Sequence, residues 1–242
     1  YCNYQVEEIT VCSHCSSHHL ARVGWGTQKV EQDVRQLFPN ARIDRLDIDN
    51  ARRRGYLQKV LASMQHGDTD ILIGTQMVAK GLDFPRVSLV GIISADGMLG
   101  IPDYRAGERA FQLLVQAAGR SGRSSIPGQV IIQTFQPDHP IIRMAIRQDY
   151  HGFFTEEIKL RKYLGYPPFS SILRIEISSK IQNKAQKTAD ILKQLIDERM
   201  DSIEDDMQIL GPAPCPIWKL RNRFRLQMVL KADSRGLLQS LG

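Results

Sequence analysis

The stretch Asp70-Ile71-Leu72-Ile73-Gly74-Thr75-Gln76-Met77-Val78-Ala79-Lys80-Gly81-Leu82-Asp83-Phe84-Pro85 passes from a short apolar run directly into a polar segment. The run Ile71 to Ile73 is too short for a helix, and a continuous apolar run of this length between turn residues reads as a buried strand. The residues after Gly74 then lie beyond that strand's carboxyl end. Outward in both directions the same unit recurs, with strand patterns at His19–Val23, Arg42–Ile48, Asp70–Gly74, Ser88–Ala95 and Gln129–Phe135. Helical patterns fall between them at Thr27–Phe38, Arg53–His66 and Tyr104–Ala118. This alternation predicts an α/β layer with a mostly parallel sheet over residues 20 to 136. In the first helix Val30, Val34, Leu37 and Phe38 share one face, predicting its core side, and Thr27 is the expected N-cap.

Beyond residue 140 the pattern changes. Residues 141–165 form a charged helical connector that ends at Gly165-Tyr166-Pro167-Pro168, where two prolines stop a helix. A strand (Ser170–Ser178), a helix (Gln182–Met200), a short strand (Gln208–Leu210), a Pro-rich bend (Gly211–Pro216) and a strand (Arg223–Lys231) follow. The order β-α-β-β predicts a small α+β sandwich. The expected organisation is an N-terminal piece over 1–18, an α/β domain over 19–140, a connector over 141–168 and an α+β domain over 169–242, cut short at its end.

At 242 residues the chain can bury one full core and a smaller one. Its composition, 42% hydrophobic and 24% charged, is that of a soluble protein, and no apolar run approaches a membrane span. With no signal peptide, a cytoplasmic location is the expectation. The net charge of +6 favours a polyanionic partner. The start on Tyr1 reads as a piece of a longer protein. Near it, Cys12-Ser13-His14-Cys15 has the spacing of a zinc knuckle, and with Cys2 it offers three thiolates, with His14 or His18 as an improvised fourth ligand. Cys215, between two prolines, reads as a small buried or loop residue.

The chemistry concentrates where the strands end, because ligands of parallel α/β sheets gather beyond the carboxyl ends of the strands. Thr75 to Pro85 falls there, as does Asp96 after the next strand. Gln116-Ala117-Ala118-Gly119-Arg120-Ser121-Gly122-Arg123 places an amide and two arginines at spacings of four and three, which on a helix return to one face. Two guanidiniums at one point call for an anion, typically a triphosphate undergoing cleavage, unless the segment is only a solvated Arg-Gly helix end. Gly24-Trp25-Gly26-Thr27 is a strand-to-helix turn with free amides, either a phosphate cradle or simply a tight turn. From Met207 to Ala232 there are five basic residues (Lys219, Arg221, Arg223, Arg225 and Lys231) and no acidic one. Phe224, Leu226, Met228 and Leu230 alternate with Arg223, Arg225, Gln227 and Lys231, so one face is core and the other positive. That face is either solvated or suited to a phosphate backbone, with Trp218 as a stacking surface beside it.

The form Q-x-x-G-R-x-G-R at Gln116–Arg123 resembles motif VI of superfamily-2 helicases. Together with I-L-I-G-T-Q-M-x-A-K-G-x-D-F-P at Ile71–Pro85 it is similar to motifs V and VI of the primosomal protein N′ (PriA) family of replication-restart helicases. The flanks V-G-W-G-T-Q-K-V-E-Q, P-D-Y-R-A-G-E-R, L-G-Y-P-P-F and L-G-P-A-P-C-P-I with a following R-x-R-x-R extend the resemblance over essentially the whole chain.

The resemblance implies a RecA-like second helicase lobe followed by a C-terminal DNA-binding domain. Neither G-x-x-x-x-G-K-[ST] nor a D-E-x-H motif occurs, so the first lobe, which holds most of ATP and Mg2+, is expected elsewhere in the protein. By position, Arg120 and Arg123 are implied to reach the γ-phosphate and Gln116 to sense the nucleotide. Gly81 and Asp83 lie near the ribose and phosphates, although Asp83 read alone is a turn cap. Thr75 and Gln76 match the part of motif V that contacts DNA, and Gly24, Gly26 and Thr27 are further DNA-binding candidates, as are Trp218, Arg221, Arg223 and Arg225. Two interleaved zinc sites are implied, with Cys2 in one and Cys12 and Cys15 in the other. Gln5 stands where the family usually has a cysteine, and weak, partial or absent zinc is the expectation for this chain. Implied partners are single-stranded and branched DNA, primosome proteins and single-stranded DNA-binding protein, with no membrane and a monomeric state. The implied activity is a 3′ to 5′ helicase that restarts replication at stalled forks. Its rivals are another superfamily-2 repair or recombination translocase and a non-catalytic docking module.

Overall fold

The computed structural model describes residues 10–12, 14–18, 26–79, 86–119, 128–200 and 207–239. The chain forms two compact units, a first over Ala21–Phe154 and a second that joins Thr155–Gly242 with Tyr1–Leu20. The expected strand at His19–Val23 lies outside the described residues.

The first unit contains α1 (Thr27–Leu37), β1 (Ile43–Leu46), α2 (Ile48–Ala51), α3 (Tyr56–His66), β2 (Ile71–Gly74), α4 (Gln76–Ala79), β3 (Leu89–Ile92), α5 (Asp96–Leu99), α6 (Ala106–Ala118), β4 (Gln129–Ile132) and α7 (Pro140–Ile146). Two parallel pairs are formed. β1 lies beside β2 with Leu46 opposite Gly74, and β3 lies beside β4 with Ile92 opposite Ile132. Parallel partners need a crossover between them, and α3 and α6 supply it. The core packs around α6, where Phe111 and Leu114 gather against Ile142, Ala145 and Phe153. Phe111 and Phe153 stack with ring centroids 4.2 Å apart. Burying such a side chain contributes about 1.5–3 kcal/mol.

Two expectations change here. Residues 141–168 do not begin as a separate connector, because the apolar side chains of α7 and the start of α8 (Tyr150–Tyr163) pack into this core. On α1 no residue is buried, and Leu37 and Phe38 stay largely exposed. Phe38 has left the helix, with φ −128° and ψ 71°, so its side chain is no longer on the helical face that the periodicity assigned.

The second unit contains β5 (Ser171–Ser179), α9 (Gln182–Met200), β6 (Met207–Leu220), β7 (Arg223–Ala232) and α10 (Arg235–Gln239). They form an antiparallel sheet in the order β5-β7-β6. One face is covered by α9 and α10, with Met228, Leu230, Ile196 and Leu237 at its centre. Ala185 and Ala189 let α9 approach Leu226 closely. The expected bend at Gly211–Pro216 is instead part of a 14-residue strand with register shifts at 210/213 and 214/219. β6 is an edge strand, and Pro212, Pro214 and Pro216 recur every second residue, which directs their missing N–H groups to one side of it. Gly211 permits the passage, since its φ is +98° and a Cβ there would meet the Gln227 carbonyl at 2.7 Å.

Candidate nucleotide and nucleic-acid interface

Three strand ends of the first unit carry polar groups. After β2, Gly74 allows α4 to fold back at once, because a Cβ there would lie 2.1 Å from Val78 Cγ2 and 2.6 Å from the Leu46 carbonyl. Thr75 and Gln76 follow and are exposed. After β1, the buried Asp47 accepts from the Asn50 N–H at 2.9 Å and from the Thr27 hydroxyl at 2.9 Å. Arg45 bridges Asp47 at 3.0 Å and Glu31 at 2.8 Å. Thr27 is therefore not the N-cap; Gly26 holds that place without a side-chain cap, and the Thr27 proton is committed to Asp47. After β3, Asp96 accepts from Thr134 Oγ1 at 2.8 Å and from the Phe135 N–H at 3.1 Å. Burial pushes the Asp96 carboxyl up, but these hydrogen bonds and further backbone amides outweigh it and hold it below its ordinary value.

Gln116 occupies the last turn of α6 and is exposed. The helix closes at Ala118, with the Gly119 N–H bonded to Val115 O at 2.9 Å. Arg120, Arg123, Gly81, Asp83 and Gly24 lie outside the described residues, as does Cys2. Thr75, Gln76 and Gln116 are all placed at element ends of one unit, with side chains open to solvent.

In the second unit the positive sheet face is corrected. Arg225 Nη2 meets Glu176 Oε2 at 2.7 Å and its Nε meets Oε1 at 2.8 Å, a bidentate pair that neutralises it. The Arg225 partner holds the Glu176 carboxyl below the usual range, against an upward push from burial. Gln227 is buried beside this pair. The countercharge comes from a strand 49 residues earlier, so counting charges along β7 alone overstated the field. Trp218 is half-buried against Ala185, Ala189 and Leu226, 5.6 Å from the Phe224 ring, and is core packing rather than a free stacking surface. Arg221 sits in the hairpin turn, where it and Asn222 have φ of 49° and 60°, the two positive values of a type I′ loop. Arg223 donates from Nη2 to the Ser178 carbonyl at 2.8 Å and from Nε to Ser178 Oγ at 3.2 Å. Neither Arg221 nor Arg223 has a carboxylate partner among the described residues.

Cys12 and Cys15 stand in a tight turn closed by Ser16 N–H to Cys12 O at 2.9 Å. Backbone amides of Cys15 and His14 hold the Cys12 thiol below its ordinary pKa, which favours the thiolate a metal takes. Among the described residues no group of three or more His, Cys, Asp or Glu gathers that could hold a metal. Cys215 is buried, and its thiol is pushed up by burial. Among the described residues no helix is long and apolar enough to cross a membrane.

The helicase conserved C-terminal domain matches residues 19–125 and the primosomal protein N C-terminal domain matches residues 162–242. With its parallel strand pairs and polar strand ends, the first unit is thus of the RecA-like, superfamily-2 second-lobe class. Replication restart protein PriA of Bacillus subtilis is 40% identical over 241 residues, 100% of this chain and 30% of that protein. The protein of that name from Synechocystis is 40% identical over 234 residues, 97% of this chain and 28% of its own length. That of Treponema pallidum is 39% identical over 241 residues, 100% of this chain and 36% of its own. Along its whole length the chain is thus similar to replication restart proteins named PriA, and both matched family models are of C-terminal domains. It spans about a third of the length of these relatives.

Proposed function

We propose that the protein to which this chain belongs is an ATP-dependent DNA helicase with 3′ to 5′ polarity. It binds stalled or branched forks and, with primosome proteins and single-stranded DNA-binding protein, reloads the replication machinery in the cytoplasm. The observation that carries this reading is the run of 232 or more residues aligned at about 40% identity with replication restart proteins, including both helicase-type segments.

In this reading the lobe contributes binding and charge. Arg120 and Arg123 present guanidiniums to the γ-phosphate of ATP, whose other contacts belong to a first lobe. Such a finger contributes about 10³ to 10⁵ in rate by matching charge that develops in the transition state. Gln116, in the adjoining helical turn, senses the nucleotide, and Gly81 and Asp83 lie near its ribose and phosphates. Mg2+, held by the first lobe, neutralises phosphate oxygens when bound. Thr75 and Gln76 meet the DNA backbone. Gly26 supports the same use, since nothing among the described residues lies within 4 Å of a Cβ built there and backbone approach is open. Cys12 and Cys15 are proposed to supply two thiolates to one zinc of the intact protein, and Cys2 one to another.

The test is DNA-stimulated ATP hydrolysis and duplex unwinding by the intact protein and its Arg123→Ala variant. Turnover in the wild type, retained nucleotide binding and lost turnover in the variant are expected, and the 242-residue chain alone should not hydrolyse ATP. An intact protein without DNA-stimulated turnover, or a variant with undiminished turnover, refutes the reading.

A further inference from the structure

The C-terminal unit holds a cleft of about 390 Å³ where the end of β5, the start of α9 and Arg223 of β7 meet. Lys180, Lys184 and Arg223 line it, with Ser178, Ser179 and Thr188, and among the described residues no acidic one does. None of the three cations has a carboxylate partner among the described residues, in contrast to Arg225 two residues along β7 from Arg223.

The hydrogen bonds already made decide what the cleft still offers. Ser178 Oγ accepts from Arg223 Nε at 3.2 Å, and Ser179 Oγ accepts from the Ile181 N–H at 3.2 Å. Each hydroxyl has therefore been used as an acceptor and keeps its proton to give. Thr188 turns its own proton onto the Lys184 carbonyl at 2.9 Å, which occupies that acceptor. The Ser178 carbonyl is occupied by Arg223 Nη2, and that contact fixes the guanidinium at the cleft wall. What remains is two hydroxyl donors and three cations around one opening. Such a set matches a ligand that only accepts hydrogen bonds and carries negative charge, as a phosphodiester does. Ile181, 63% exposed at the rim, offers an apolar surface to a sugar or base.

We propose that this cleft, rather than the strand face bearing Arg225, seats a backbone phosphate of single-stranded DNA. Arg223 and Lys184 hold the phosphate, and Lys180 and the two serines close around it. The inference rests on the DNA-binding reading above and names the contact that the C-terminal unit makes.

The test titrates fluorescein-labelled oligothymidylate with the 242-residue chain at 50 to 200 mM salt, read by fluorescence anisotropy. It compares wild type with Lys180→Gln/Lys184→Gln/Arg223→Gln and with Lys180→Glu/Lys184→Glu, each checked for folding by circular dichroism. Each lost single-strand phosphate contact removes about 0.7 from the slope of log K against log salt, so the triple variant, which empties one phosphate seat, should lose about 0.7. Over that fourfold salt range the wild type then weakens about 2.6-fold more than the variant. Ser179→Ala should weaken binding with the slope unchanged, because a neutral donor displaces no counterion. An unchanged slope in folded variants overturns the proposal and leaves the helicase reading standing on turnover of the intact protein. So does binding of a labelled oligoglutamate peptide that the variants lose while DNA binding persists, which would assign the cleft to an acidic protein segment. Failure of the wild-type chain to bind DNA overturns the proposal as well.

Discussion

Replacing Gly74 by Ala tests the link between the packing of the first lobe and the placement of Thr75 and Gln76. The backbone of Gly74 does not need a positive φ, so the added methyl brings a modest gain of about 0.4–1 kcal/mol by restricting the unfolded chain. Against this, the methyl lands 2.1 Å from Val78 Cγ2 and 2.6 Å from the Leu46 carbonyl. Val78 is β-branched and stiff at χ1. Leu46 is the register partner of Gly74, so its carbonyl moves only by disturbing the β1–β2 ladder. Overpacking of this kind costs about 1–3 kcal/mol. The net expectation is a loss of about 1–2 kcal/mol, seen as a fall in Tm of roughly 3 to 8 °C. Thermal and urea unfolding by far-UV circular dichroism measures it, with hydrogen exchange on peptides covering 43–46 and 71–79 to localise it. Val78→Ala should recover part of the loss in the double variant, because it removes the closest contact and leaves the carbonyl. A Gly74→Ala chain as stable as wild type, or a double variant with strictly additive losses, refutes the argument that close approach requires this glycine.

Acid should act through Asp70, whose carboxyl is held to about 2 by hydrogen bonds from the Arg42 side chain and backbone. A folded-state pKa below the unfolded value contributes stability that is present above about pH 4 and lost as pH falls towards 2, so Asp70→Asn should flatten the acid limb of a Tm-against-pH curve. An unaltered limb would place the acid sensitivity elsewhere. Alkylation by iodoacetamide at pH 7.5, followed by mass spectrometry, should label Cys12 well before Cys215. The Cys12 thiol is held down by backbone amides, whereas that of Cys215 is buried and pushed up. Equal rates would contradict both environments.

The strand end at Gly74, the helix ending at Ala118 and the β-α-β-β order were legible because they depend on local signals. These are short apolar runs between turn residues, apolar spacing along α6, and glycines where elements stop. The long strand through Gly211–Pro216 was not legible, because prolines speak against a strand unless it lies at an edge with their nitrogens turned outward. Edge position is a property of the sheet and not of the segment. Lys180 and Lys184 gave no signal of their own, as single lysines beside a helix start are common.

The amino-acid sequence by itself determined the α/β class of the first lobe, the α+β class of the unit after it and the family resemblance, since periodicity and motif spacing are carried by residues close along the chain. Tertiary structure alone decided which charges remain available. Glu176 cancels Arg225 and Asp47 engages Thr27 across separations of 49 and 20 residues, while Arg223 is drawn to Ser178 on the neighbouring strand. Electrostatic pairing depends on distance in space, and strand register sets that distance.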